Sequence, residues 1–463
     1  MSVPLPHSLR HRNLALALLA ACVLLELALL PVGIDDLDEG YFAQQAVRIQ
    51  RGELPFRDFE SLYTPGLAYV HGALFNLFGG PYLLAPRALS LVLRGALAVL
   101  LYVLARPVVE QPLWAALPGA LVLLGFDAAP DRWEPHPGWP STVLAVLAIW
   151  CATRPPTARW LLASGAAAAG AYVFKQNAGA FILLALLVYR PRHAPLTALG
   201  FGVVTLAWLG PLVIALGGRV ELLGPLVGAV NQSSLLSPPE PTIAIPAACL
   251  VAGLVLLKDQ RVCWYLLAGT CLLATQYPRG DTVHLAWSAP VLLVVGAAFL
   301  SRQHLRVALP LVAAAALLCL PTLQYRLETV RQATTTIVGI PYANSLRVPA
   351  QTWSDLLTTA AEINHRTAPG EPIFAYPSSP LLYVLAERPN PTRFDHLNPG
   401  AATPDQIQEV IDALGQVRLL VVSDYWRAAW GAPRDNAALE TWLFERYHEV
   451  AHFGQYSVFV RTE

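Results

Sequence analysis

The chain has 463 residues, 55% of them hydrophobic and only 13% charged, with a formal net charge of zero. Soluble domains carry about 25% charged residues, so a deficit this large means that much of the surface faces hydrocarbon. The balanced charge gives no basic surface for nucleic acid.

In chain order, His7, Arg10, His11 and Arg12 precede an apolar stretch from Leu14 to Leu30. It is long enough to span a bilayer, and an acidic segment follows it rather than a cleavage site, so a retained first helix is expected. Apolar segments then recur: Leu14–Val32, Ala85–Ala105, Leu113–Phe126, Trp139–Ala152, Trp160–Phe174, Ala178–Tyr189, Leu196–Leu216, Ile243–Leu257, Cys263–Gln276, Leu285–Leu300 and Val307–Leu323. Hydropathy reads these as roughly eleven crossings, with several spans short enough for one pair to be re-entrant. With the N-terminus cytoplasmic, the cytoplasmic loops hold Arg106, Arg154, Arg159, Arg190, Arg192, Lys258, Arg261, Arg302 and Arg306. The opposite loops hold Asp35, Asp36, Asp38, Glu39, Asp58, Glu60, Asp131, Glu134 and Asp281. That alternation is what the positive-inside rule requires. The six cysteines, Cys22, Cys151, Cys249, Cys263, Cys271 and Cys319, lie in apolar runs with no CxxC pair. They read as core-filling residues rather than a disulfide framework or zinc site.

From about Gln324 the sequence turns soluble. Trp353–Arg366 reads as a helix, Pro372–Tyr376 as a strand, and Pro404–Leu414 as a helix capped by Thr403. Leu419–Ser423 reads as a buried strand, Asn436–Tyr447 as a helix, and Glu449–Phe453 with Ser457–Arg461 as a closing hairpin. The expected fold is mainly α: a polytopic helix bundle over 1–325 and a small extracytoplasmic α/β domain over 326–463. No internal repeat is visible.

The first external loop, Gly33 to Phe42, places four carboxylates in five residues. Their mutual repulsion at a low-dielectric face suits a general base or a cation site; the alternative is that Asp38 simply caps a helix running to Arg51. Tyr41–Arg51 has the pattern of a short amphipathic interfacial helix, with Phe42, Ala46 and Ile49 on one side. Gly52-Glu53-Leu54-Pro55 ends it, Phe56-Arg57-Asp58-Phe59 and Tyr63-Thr64-Pro65-Gly66-Leu67 follow, and a second short helix runs to Phe78 against the external face. Other polar constellations are Asp127–Trp139 (with Asp131, Trp133, Glu134 and His136), Lys175 between two apolar spans, and Tyr277–His284 (with Arg279, Asp281 and His284). Glu26 and Arg94 are charges inside apolar helices, either functional or paired within the bundle. His136 and His284 lack zinc-ligand spacing.

Asp38-Glu39-x-Tyr41, the interfacial helix, the Gly-x-x-Pro turn, the Pro-containing turn before Leu67, Leu77-Phe78-Gly79 and Arg87 together resemble the first external loop of GT-C membrane glycosyltransferases. The resemblance is to the protein O-mannosyltransferase and aminoarabinose transferase group (glycosyltransferase families 39 and 83), and it covers the membrane half in order. It implies that Asp38 is the catalytic carboxylate with Glu39 beside it, and that the donor is a sugar on a polyprenyl phosphate or diphosphate. An acceptor hydroxyl would attack the anomeric carbon with inversion. Many of these relatives have Lys-Pro-Pro where this chain has Thr64-Pro65-Gly66, so another cation must meet the lipid phosphate. Lys175 is the candidate, with Arg279 a second; snorkelling of Lys175 to the surface is the plain alternative. Tyr41, Arg57, Tyr63, Glu134, His136, Asp281 and His284 are the further substrate-binding candidates. No metal ligand set and no cofactor is firmly implied. The expected partners are the polyprenyl-phosphate sugar, an acceptor lipid, glycan or protein, and membrane lipids. The resemblance also implies a multi-pass protein of the bacterial cytoplasmic (inner) membrane. In the C-terminal domain, Tyr376-Pro-Ser-Ser-Pro380 and Asn390-Pro-Thr-Arg-Phe-Asp395-His396 suggest a lid or acceptor platform. A transporter or flippase of lipid-linked glycans is the alternative function, disfavoured because the polar residues cluster in external loops. A non-catalytic assembly protein would leave Asp38, Glu39 and Lys175 without a purpose.

Overall fold

The structure is a computed structural model, and it describes residues 7–126, 136–224, 239–277, 280–397, 402–429 and 436–462. Each of the eleven apolar stretches is helical. In order they are α1 (His7–Leu29), α4 (Leu84–Ala105), α5 (Pro112–Leu121, continued by a π turn Val122–Phe126), α6 (Gly138–Ala152), α7 (Ala158–Phe174), α8 (Gln176–Tyr189), α9 (Ala194–Ala215), α10 (Ala244–Val255) and α11 (Gln260–Ala274), followed by two bent pairs. The first pair, α12 (Thr282–Ser288) and α13 (Pro290–Leu300), bends by 78°; the second, α14 (Leu305–Leu318) and α15 (Leu320–Gln332), bends by 45°. Pro290 and Pro321 stand in the first turns after these breaks, where a missing N–H costs nothing but the preceding helix cannot continue. Three described helices are long and apolar enough to cross a membrane on length and composition alone, and five are if each bent pair is one span. The exposed leucines and valines of these helices, such as Leu24, Val203, Leu206 and Ile214, form a lipid-facing surface. The chain is a multi-pass membrane protein.

Glycines set the closest helix contacts. A Cβ on Gly165 would sit 1.9 Å from the Thr197 carbonyl oxygen, and one on Gly200 would sit 2.2 Å from that of Leu162. Only bare backbone lets α7 and α9 approach this closely.

The basic loops meet at one end. Arg190 donates to the Arg154 carbonyl at 3.2 Å, Arg261 to the Pro107 carbonyl at 3.4 Å, and Arg302 pairs with Asp259 at 3.0 Å. Tyr189 stacks on Trp264 at 4.2 Å and joins these contacts into one face. The buried Glu26 pairs with Arg94 at 3.0 Å and with Arg326, which also donates to the Leu123 carbonyl at 3.0 Å. The two intramembrane charges are thus partners, and a third residue joins them. That third residue lies on α15, so this helix, still packed in the bundle, runs through position 326 where the sequence suggests a boundary.

The C-terminal domain is a four-stranded mixed sheet, ordered β3 (Ile373–Tyr376), β4 (Leu419–Ser423), β6 (Tyr456–Arg461), β5 (Tyr447–Phe453), with β3 and β4 parallel and the other pairs antiparallel. Helices Ala350–Arg366, Pro404–Ala413 and Ala437–Arg446 pack with it, and Thr403 caps the second through a reciprocal capping box with Gln406. A two-stranded ribbon, β1 (Thr335–Thr336) and β2 (Arg347–Val348), links bundle and sheet. This domain shares one core with the segment between α1 and α4: Ile34, Ala43, Ala46, Val47, Phe75 and Leu83 are buried among Leu346, Val348, Leu356, Leu381 and Val421.

Candidate active site

The site is built on α2 (Asp38–Gln50), the helix that the four carboxylates open. Three of the four are occupied by the protein itself. Asp35 accepts the Leu37 N–H at 2.9 Å. Asp36 reaches the C-terminal domain, accepting from Tyr456 Oη at 2.6 Å, Ser379 Oγ at 3.3 Å and Trp426 Nε1 at 3.4 Å. Burial raises its pKa, and those three donors oppose the rise. Glu39 is 2% exposed and takes the buried Arg87 guanidinium bidentately, at 2.6 and 2.7 Å. Arg87 spends its remaining donors on the carbonyls of Leu30, Val32 and Gly33, which fixes the turn between α1 and α2. Asp38 is half-buried at the first position of α2, and its carboxylate makes no hydrogen bond or ion pair with a described residue.

One turn on, Tyr41 Oη accepts the Leu62 N–H at 3.1 Å, and the Tyr41 ring stacks on His396 at 4.3 Å. Phe42 continues the line, edge-on to His136 at 5.7 Å and tilted against Tyr63 at 6.2 Å. His136 Nδ1 accepts the Gly138 N–H at 2.9 Å, so in the neutral ring Nε2 carries the proton and donates to Tyr63 Oη at 3.2 Å. The His136 ring lies flat on Trp287 at 3.8 Å.

Trp287 is the hub of the second group. The Lys175 ammonium stands 5.1 Å from its ring centre, and His284 meets its edge at 5.1 Å. Asp281 caps α12 through the His284 N–H at 3.0 Å and receives His284 Nδ1 at 2.7 Å. Lys175 occupies the extended break between α7 and α8 and is 6% exposed, and its ammonium forms no hydrogen bond with a described residue. Burial pushes its pKa down to about 8, partly opposed by the Asp281 carboxylate. The break is tied to the first loop: Gln176 accepts the Thr64 N–H and donates to the Leu62 carbonyl, both at 3.2 Å, and Thr64 Oγ1 donates to the Tyr172 carbonyl at 2.5 Å. A Cβ on Gly66 would lie 2.5 Å from the Val173 carbonyl oxygen, so glycine at that position lets the loop seat against the end of α7.

The structure therefore joins Tyr41, Tyr63, His136, Lys175, Asp281 and His284 in one chain of contacts, with Asp38 at its other end beside His396. Arg57 is not in it: it forms an exposed pair with Asp58 at 2.6 Å. Glu134 and Arg279 lie outside the described residues. Among the described residues, no three metal-ligating side chains come together. Sequence reasoning missed Trp287 and Gln176 as site residues, and it singled out His396 only as part of the Asn390–His396 segment read as a lid or acceptor platform. Trp287 falls one helical turn after His284, a spacing that carried the signal.

Gly138 is the tightest point. A Cβ there would meet the Trp287 ring at 2.3–2.7 Å. Gly138→Ala is expected to displace the indole and to cost about 1–3 kcal/mol by overpacking, read as a lower thermal midpoint and altered tryptophan emission in detergent.

The arrangement of helix bundle, bent helix pairs, acidic first loop and docked α/β domain is a fold shared with solved membrane transferases. ArnT from Cupriavidus metallidurans bound to undecaprenyl phosphate is similar over 96% of this chain and 97% of that one, with a TM-score of 0.59 and 13% identity; its apo state gives 0.61 and 14% over the same spans. The oligosaccharyltransferase of Archaeoglobus fulgidus, apo, gives 0.54 at 12% identity, covering 88% of this chain and 69% of that one. No family model and no curated protein sequence matches the chain.

Proposed function

We propose that the chain is a glycosyltransferase that moves a sugar from a polyprenyl-phosphate-linked donor to an acceptor hydroxyl on the external face of the cytoplasmic membrane. In this reading the N-terminus is cytoplasmic, about eleven segments cross the bilayer, and the α/β domain that follows α15 is extracytoplasmic. The observation that carries it is the division of labour among the four carboxylates. Asp35, Asp36 and Glu39 are engaged by the fold, while Asp38 stands unpartnered among the described residues, at the end of an aromatic path that leads to a buried lysine. The fold adds support, since neighbours with it hold undecaprenyl phosphate in ArnT and dolichol-phosphate in the archaeal AglB.

In the reaction, the acceptor oxygen attacks the anomeric carbon, the bond from that carbon to the phosphate oxygen breaks with its electron pair going to the phosphate, and the hydroxyl proton passes to Asp38. Glu39 and Arg87 hold the loop that presents Asp38. Lys175, with Arg279, meets the charge that grows on the leaving phosphate. Tyr63 offers its ring to the sugar, backed by the His136–Trp287 stack, and Glu134, Asp281 and His284 orient its hydroxyls or the lysine.

The test uses the full chain purified with lipid, a panel of labelled undecaprenyl-phosphate sugars, and release of undecaprenyl phosphate as the readout. Release from at least one donor is expected. If wild type neither releases nor binds undecaprenyl phosphate, the reading falls.

A further inference from the structure

The segment Asn390–His396 of the C-terminal domain is a built turn. Asn390 Oδ1 accepts the Thr392 N–H and Oγ1–H at 2.9 and 3.0 Å, and its Nδ2 donates to the Phe394 carbonyl and to Asp395, both at 2.9 Å. The buried Arg48 of α2 grips this turn, donating to the Thr392 carbonyl at 3.1 Å and to Asp395 at 3.3 Å. The turn is thus pinned to the helix that begins with Asp38. It delivers the His396 ring onto Tyr41, three residues along from Asp38, and the Asp38 carboxylate acts on the imidazole electrostatically.

The ring's tautomer follows from Ser378. Its single hydroxyl proton, given to the Asp395 carbonyl at 3.2 Å, leaves Oγ to accept from His396 Nδ1–H. Nε2 then carries the lone pair, and it bonds to no described residue. Burial pushes the imidazole down to about 4, so that lone pair is present at neutral pH.

We propose that the C-terminal domain completes the catalytic site: His396 accepts, at Nε2, a hydrogen bond from the incoming acceptor hydroxyl and holds it beside Asp38. The assignment rests on the glycosyltransferase reading above. It gives the extracytoplasmic domain a direct part in the reaction, and it explains why a turn with so many internal bonds is fastened to α2 by a buried arginine.

The experiment compares His396→Ala, His396→Gln and His396→Asn in the full chain, with the donor that wild type turns over. Glutamine carries its polar group where Nε2 lies, and asparagine where Nδ1 lies. Expected for the alanine variant is a fall in kcat on the order of 10²-fold, the scale of a lost orientation, with donor KM and undecaprenyl phosphate affinity unchanged. Glutamine recovers most of the loss and asparagine does not. Recovery by asparagine instead of glutamine would assign the residue to the Ser378 contact alone and overturn the proposal, as would full activity in the alanine variant or loss of donor binding in step with kcat. If wild type neither releases nor binds undecaprenyl phosphate, the underlying reading has failed and this assignment falls with it.

Discussion

Asp38→Asn is expected to lower sugar transfer by about 10²–10⁴-fold, the range for a lost general base, with folding and donor affinity retained. The substitution is isosteric, and no described residue hydrogen-bonds to the carboxylate it alters, so α2 and its contacts have no reason to move. Its neighbour should behave in the opposite way. Glu39→Ala leaves the fully buried Arg87 with an unpaired charge beside three carbonyls that it also holds. Removing one partner of a buried pair costs about 3–5 kcal/mol, so the second variant is expected to unfold or to show a far lower thermal midpoint. The measurement is undecaprenyl phosphate release together with thermal unfolding, on both variants. Two adjacent carboxylates that fail in different ways, one in chemistry and one in stability, would separate the base from its scaffold. Equal turnover by Asp38→Asn and wild type would remove Asp38 from the mechanism.

This separation was not legible in the sequence, where Asp35, Asp36, Asp38 and Glu39 look alike. The helices were legible because hydrophobic runs and Pro or Gly breaks are local signals, and so was the Thr403 cap, whose partner is three residues away. Glu26 with Arg94 and Arg326, Glu39 with Arg87, and Asp36 with Tyr456 are long-range pairs, and nothing in the chain's local pattern chooses among the arginines available. The bends at α12–α13 and α14–α15 were hidden because the apolar runs continue through them and hydropathy counts each run as one span. The distinctive Asn390–His396 motif stood out, yet its use needed the turn's own hydrogen bonds and the Arg48 clamp, both tertiary. Thr64 and Gly66 showed that a lysine was missing relative to similar loops, and the structure adds that Gly66 admits the end of α7, bringing the Lys175 break against that loop.

Lys175→Met is expected to weaken undecaprenyl phosphate binding by roughly ten- to one hundred-fold. A charged hydrogen bond contributes about 1.5–3 kcal/mol, and each 1.4 kcal/mol is tenfold in affinity. Methionine keeps the bulk and the contact with the Trp287 ring, so packing is not the variable. The pH dependence gives a second signature. Lys175 titrates at about 8 rather than near the usual lysine value, because burial opposes its charge more than Asp281 supports it. The cation is present below that pH and lost above it. Wild-type affinity should therefore hold through neutral pH and decline as pH rises through about 8, displaced upward in the bound state because the phosphate itself stabilises the ammonium. The second ionisation of a phosphate ester lies near 6, so it is complete before this decline begins and does not mask it. In Lys175→Met the affinity should be low and flat over the same window. Adding Thr64→Lys to that variant returns a cation to the loop that Gln176 and Gly66 hold against the break, and partial recovery of binding is expected. A wild-type profile that stays flat to pH 10, or a methionine variant that binds as tightly as wild type, would take Lys175 out of the phosphate site.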